Sequence, residues 1–228
     1  MSPSTPVLFL FASDPETGPA APEVLARLGE TGAARFAEAR LLDLLHRFAA
    51  LDEPRPLRRV LCFEPLPRKP AFRALLQREG LDEAWDLLPQ AEGDPGHKRA
   101  CACQYALLKG LGASAYFDAE RLELQDAEIR QAFAGAAAGR ARLLRGTGGA
   151  CALVALPAGA EPRVFEQIRW GTPHAAEDQR IQLLRRNLEV GVSSLHAGAG
   201  LEALRARLEA DPERAPRTLA VLKAALNP

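Results

Sequence analysis

The chain has 228 residues with 29 Lys and Arg against 29 Asp and Glu, so its formal charge is zero. Apolar residues make up 47% and charged residues 25%, ordinary values for a globular protein whose core needs no disulfide staples. The balanced charge offers no general footprint for nucleic acid, and no apolar run reaches the length of a membrane span.

Val7-Leu8-Phe9-Leu10-Phe11 is a continuous apolar run followed by Ser13-Asp14-Pro15, the pattern of a strand buried on both faces. It lies close to Met1 with no basic leader and no cleavage pattern, which argues against a signal peptide. A loop rich in Pro and Gly runs to Pro22. Thr31–Leu51 then places Phe36, Ala37, Leu41, Leu44, Leu45 and Phe48 on one helical stripe, with Arg35, Glu38, Asp43 and Arg47 on other faces. Arg59–Phe63 predicts a second buried strand, and Lys69–Glu79 a helix ended by Gly80. Gly93-Asp94-Pro95-Gly96 is a turn signal that opens a helix over His97–Leu111. Ser114–Phe117 predicts a third strand, Asp126–Ala138 an alanine-rich helix, and Cys151–Leu156 a fourth strand. Pro173–Leu188 predicts a helix with Ile181, Leu184 and Leu188 inward, and Val190–Leu195 a fifth strand. Two more helices carry the stripes Leu201/Leu204/Leu208 and Leu219/Leu222/Leu226.

Strands and helices alternate almost throughout. This order favours one α/β domain over residues 1–228, in three layers, with a mainly parallel sheet and helices on both faces. Cysteines 62, 101, 103 and 151 are irregularly spaced, which points to reduced thiols and a cytoplasmic protein. His97 and Cys101 share a helix face at a metal-compatible spacing, but Cys103 falls on the opposite side and cannot join them.

Open α/β sheets bind ligands beyond the carboxyl ends of their strands. The loop Ser13–Glu23 has no Lys or Arg, carries Asp14, Glu16 and Glu23, and loses backbone donors at Pro15, Pro19 and Pro22. A phosphate cradle needs N–H donors and a cation, so this loop reads as a rigid connection. Gln90 offers an amide, Gly93 and Gly96 permit close backbone approach, and Asp94 suits a helix cap. Asp118 and Glu120 are carboxylates that follow the third strand. Gly148 and Gly149 make a tight turn, Trp170 an aromatic face, and Thr172-Pro173 a helix start.

Leu28-Gly29, Gly32-Ala33-Ala34, Leu41-Leu42-Asp43, the segment Gln90–Gly96, the Gly148-Gly149 turn and Ile168-Arg169-Trp170-Gly171-Thr172-Pro173 occur in an order that resembles a bacterial family of small glycosyltransferase-like proteins. That family has the GT-A, or nucleotide-diphospho-sugar transferase, fold, and the resemblance runs from Val7 to about Leu204. It implies Gln90, Gly93, Gly148, Gly149, Trp170 and Gly171 as donor-binding positions. It also implies Glu120 or Asp118 as metal ligand, with Mg²⁺ or Mn²⁺ the cofactor of an active member.

The chain departs from the family at charged positions. The basic triplet expected in the first loop falls on Ala21, Pro22 and Glu23. A Ser-Asp-x-Pro set becomes Ala119-Glu120-Arg121-Leu122, where Arg121 is placed to pair with Glu120 and leave it a helix-entry acid. The turn carboxylate becomes Thr147, and an Asp-rich segment becomes His196-Ala197-Gly198-Ala199-Gly200. The expectation is a neutral or mildly negative crevice without cations. From it follows a protein with weak or lost catalysis that acts as a binding or partner module, its partner a nucleotide-sugar or a protein. The alternative is an active transferase that uses Glu120 or Asp118 for metal and Gln90 and Trp170 for the donor.

Overall fold

The computed structural model describes residues 4–51, 54, 56–195 and 200–226. The strands are β1 Val7–Ser13, β2 Arg58–Glu64, β3 Asp86–Pro89, β4 Ser114–Asp118, β5 Ala141–Arg145, β6 Cys151–Leu156 and β7 Val190–Ser194. The helices are α1 Pro22–Ala49, α2 Lys69–Arg78, α3 Pro95–Leu108, α4 Asp126–Ala137, α5 Ala175–Arg185, α6 Leu201–Ala210 and α7 Pro216–Leu226. The strands form one sheet in the order β3-β2-β1-β4-β6-β5-β7. β6 runs antiparallel to both neighbours, and the other adjacent pairs are parallel.

The alternation of side chains along β1 sorts the core into two layers. Val7, Phe9 and Phe11 join Cys62, Tyr116 and Val154 on one face, which α3 and α5 cover with Ala102, Cys103, Ala176 and Leu183. Leu8, Leu10 and Ala12 join Phe63, Phe117 and Leu153 on the other, under Phe36, Leu45, Phe72, Ile129, Leu208 and Leu222 from α1, α2, α4, α6 and α7. The three-layer α/β arrangement expected from the sequence is therefore present.

The differences are local. Two strands join the predicted five. β3 is a short edge strand, and β5 reads Ala-Arg-Leu-Leu-Arg, too brief and too basic to stand out as apolar. α1 begins at Pro22, well before Thr31, and breaks at Gly29, whose φ of +64° interrupts the helical backbone. Asp43 is not a solvent-facing residue of α1 but is buried, because it receives hydrogen bonds from the start of α7. α5 is rotated relative to its predicted stripe: Ile181 and Leu184 are 36% and 46% exposed, while Ala176, Gln179 and Leu183 face the core. The Gln179 side-chain amide donates to the Val164 carbonyl at 2.8 Å, which satisfies a polar group where the pattern calls for an apolar one. The helix also starts two residues beyond Pro173. Thr172 does not cap it; instead its hydroxyl donates to the Arg169 carbonyl and accepts from the His174 amide.

Candidate functional site

β1 leads through α1 to β2 on one side, and β4 lies on the other side of β1, so a crevice opens where the carboxyl ends of β1, β2 and β4 diverge. It has a volume of about 610 Å³ and is lined by these strand ends, the loop after β1, α1 and the start of α3. This size falls in the range of small-molecule sites.

The loop after β1 is built around Asp14. Its buried carboxylate accepts from the Thr17 amide at 3.1 Å and the Thr17 hydroxyl at 2.7 Å. Arg68, from the turn after β2, reaches Asp14 at 3.0 Å and Glu16 at 2.5 Å. Two acids of this loop, Asp14 and Glu16, are thus held by a remote cation, and the loop forms part of the crevice wall.

The crevice contradicts the expected absence of basic residues. Arg40 arrives from α1, Lys98 and Arg99 from the first turns of α3, and Arg121 from the turn after β4. Six acids line the same space (Asp14, Glu16, Glu30, Glu64, Asp118 and Glu120), so the formal balance is on the negative side, as expected. Lys98 pairs with Glu64, which also accepts from the Ser13 hydroxyl at 3.0 Å. Arg121 pairs with Glu123 at 3.4 Å rather than with Glu120. Glu120 faces Arg40 at 3.7 Å and lies in the turn after β4, not at the entry to α4. Burial pulls the Arg40 guanidinium below its ordinary pKa, against the opposing charges of Glu120 and Glu123.

Arg99 is the most constrained of these cations. Its side chain is 7% exposed, donates to the Pro95 carbonyl at 2.9 Å and meets Asp118 Oδ1 at 2.6 Å. The guanidinium carbon lies 5.1 Å from the Phe11 ring centre and 4.5 Å from that of Trp170. Trp170 thus has one partner already, as a cation–π cap on Arg99.

Three buried donor atoms in the lining have no acceptor among the described residues: Arg40 Nε, Arg121 Nε and Trp170 Nε1. Buried donors are ordinarily satisfied, so these three are exceptions among the residues of the crevice.

The structure brings Gln90, Trp170, Gly171, Asp118 and Glu120 together at the crevice, while Gly93, Gly148 and Gly149 lie outside its lining. The Gln90 amide donates to the Ala12 carbonyl at 3.1 Å and the Cys62 carbonyl at 2.8 Å, bridging the ends of β1 and β2. Gly149 packs against Pro173, where a Cβ would come within 2.0 Å of the carbonyl oxygen. Gly96 makes its close approach to Phe165 and Trp170. Asp94 caps α3 by accepting from the His97 amide at 2.9 Å. The segment His196–Ala199 lies outside the described residues.

The sequence matches no family model and no curated protein. The structure is similar to that of a Desulfovibrio desulfuricans G20 protein provisionally assigned as a nucleotide-diphospho-sugar transferase, with TM-score 0.80 and 20% identity over 97% of this chain and 95% of that one. The fold is that of the nucleotide-diphospho-sugar transferases. It is shared more distantly with 4-diphosphocytidyl-2C-methyl-D-erythritol synthase of Anaerococcus prevotii DSM 20548, at TM-score 0.57 and 8% identity over 91% and 96% of the two chains. CMP:2-keto-3-deoxy-manno-octonic acid synthetase, in complex with CTP, matches at TM-score 0.54 and 10% identity over 91% and 100%.

A nucleotide-diphospho-sugar transferase fold raises the question of a divalent metal. The carboxylates here do not fit one. Among the described residues, no three His, Cys, Asp or Glu side chains group as a metal set, so an ion here would rest on one or two carboxylates. Asp118 is engaged by a guanidinium that contacts two rings, and Glu120 faces another. Two unit charges about 4 Å apart interact by about 4 kcal/mol at an effective dielectric of about 20, so a divalent ion beside an immobile Arg99 meets strong repulsion. The basic residues escaped the sequence reading because they come from α1 and α3. One signal was available: α3 has no acidic residue in its first turn, and Lys98 and Arg99 follow close behind, against the helix dipole. Such a local conflict points to a tertiary or functional demand.

Also among the described residues, no helix is long and apolar enough to cross a membrane.

Proposed function

We propose that this chain is a glycosyltransferase-like binding module that holds a nucleotide-type oxyanion in the crevice and has weak or no transfer activity. One observation carries the binding half: three buried donors that lack acceptors, Arg40 Nε, Arg121 Nε and Trp170 Nε1, belong to residues that line one cavity. A diphosphate supplies several acceptor oxygens at once. The weak-transfer half is supported by the state of the acids. Asp14, Glu64 and Asp118 are each engaged by a cation within 3.0 Å. A general base must reach the proton it takes, and a carboxylate already engaged by a cation must first break that contact. That two proteins of similar fold are named for cytidine nucleotides supports including CTP among the ligands tested.

The test is calorimetric titration with UDP-, GDP- and dTDP-sugars and CTP, alongside assays for donor hydrolysis and transfer. The reading expects micromolar binding without turnover, weakened about tenfold in Arg121→Gln through loss of a charge-assisted bond. Absence of binding across the panel removes the ligand and leaves a protein partner as the function.

An active transferase is favoured by one observation. Of the two acids that follow β4, Glu120 is the more loosely paired, with a 64% exposed side chain and an ion pair at 3.7 Å. Turnover abolished by Glu120→Ala would establish that second reading.

A further inference from the structure

We propose that the crevice takes its anionic ligand without a divalent cation, because the Arg99 guanidinium occupies the position on Asp118 that a metal would need. The proposal rests on the reading of the crevice as an anion site and adds how its charge is neutralised.

In this fold the carboxyl end of β4 borders the ligand crevice, and Asp118 is its terminal residue. A metal bound there would bridge the carboxylate and the ligand's phosphate oxygens. Arg99 performs the same bridging in principle. Its Nη2 meets Asp118 Oδ1 at 2.6 Å, and the residue itself lines the crevice. A guanidinium is a fixed cation with donors in a planar fork suited to oxyanions.

Three features hold Arg99 in place independently of Asp118. Its Nη1 is anchored on the Pro95 carbonyl at 2.9 Å, and its guanidinium carbon lies 5.1 and 4.5 Å from the Phe11 and Trp170 ring centres. Gly96 keeps Trp170 close, since a Cβ at that position would come within 2.7 Å of Trp170 Nε1. The side chain therefore cannot swing aside to admit a metal without breaking the packing of α3 on the Trp170 turn. The second acid, Glu120, faces Arg40, so the pair that would chelate a metal is divided between two guanidinium groups. Cationic charge for the ligand comes instead from Arg99, Arg40 and Arg121.

Two measurements on the full chain test this. The first uses Mn²⁺ alone, with free ion followed by electron paramagnetic resonance as protein is added. The expected result is no site tighter than about 1 mM, the weak end of biological divalent sites. Tighter uptake that Asp118→Asn abolishes would overturn the proposal. The second uses UDP and inorganic pyrophosphate in calorimetry, with EDTA or with Mn²⁺ or Mg²⁺. Affinities that agree across these conditions support the proposal, and a gain of about tenfold or more with metal overturns it. Asp118→Asn separates the roles further. A metal ligand loses probe affinity on this change, whereas here affinity is kept or raised because a negative charge beside the ligand is removed while Arg99 stays anchored on Pro95, Phe11 and Trp170, with circular dichroism confirming the fold. If neither probe binds under any condition, the anion-site reading fails, and the Mn²⁺ titration still decides whether Asp118 is a metal ligand.

Discussion

Asp43 on α1 accepts the Thr218 amide at 2.8 Å and the Thr218 hydroxyl at 2.7 Å, joining residues 175 apart in sequence. The carboxylate serves as an N-terminal cap for α7 supplied by another helix. Asp43→Ala leaves two buried donors of Thr218 unsatisfied and is expected to cost about 3 kcal/mol, measured by urea unfolding. Burial also raises the Asp43 carboxyl above 3.8 despite these bonds. A raised acid gives its full contribution below its unfolded pKa, and that contribution is lost as pH rises through the folded one. Unfolding curves across this interval should show a decline in the wild type that Asp43→Asn lacks.

Arg169 and Asp178 fasten the Trp170 turn to α5. Both guanidinium contacts are 2.8 Å, and the Arg169 amide adds a third at 3.1 Å. The Arg169 guanidinium lowers the Asp178 carboxyl to about 2. The sign is opposite to that of Asp43: this contribution is present above the unfolded value of 3.8 and is lost as pH falls through about 2. Asp178→Asn removes it at neutral pH. In a Trp85→Phe background, Trp170 emission is expected to shift to the red, and an unchanged spectrum would show that the clamp does not hold the ring.

Gly148 and Gly149 are neighbours with positive φ but different surroundings. A Cβ on Gly148 meets nothing within 4 Å, whereas one on Gly149 meets the Pro173 carbonyl oxygen at 2.0 Å. Gly148→Ala is expected to cost about 1 kcal/mol from backbone conformation alone. Gly149→Ala adds a clash with a rigid backbone and should cost at least about 3 kcal/mol. Equal melting temperatures for the two variants would show that the turn moves freely away from Pro173.

Gln90 bridges two strand ends with both amide hydrogens. Gln90→Ala should lower stability by about 1–2 kcal/mol. Its effect on UDP titration should be small beside that of Arg121→Gln. A large affinity loss without a stability loss would return Gln90 to the ligand-contacting role.

The layers were legible because burial on both faces leaves an unbroken apolar run, as in Val7–Phe11, and because turn residues such as Gly80 and Gly93-Asp94-Pro95 punctuate the helices. β5 was hidden because Arg142 and Arg145 bracket its short apolar centre, whose Leu143 and Leu144 are both buried. The inward face of α5 was misread because periodicity cannot foresee that Gln179 finds a carbonyl partner on Val164. Asp118 and Glu120, which the family resemblance brings forward, do line the crevice. Their arginine partners were not legible in the sequence, since Arg99–Asp118 and Arg40–Glu120 depend on how α3 and α1 pack beside β4. Charge inventory within one loop is a poor guide to a site assembled from separate elements.

The contact between Asp43 and α7 also bears on biosynthesis. The helix that covers part of α1 is translated some 175 residues after the carboxylate that anchors it. Until that helix has emerged from the ribosome, Leu219 and Leu222 are missing from the layer that holds Phe36, Leu41 and Leu45. Until then the α7-facing side of α1 is bare in the nascent chain, a greasy surface suited to chaperone capture and prone to self-association.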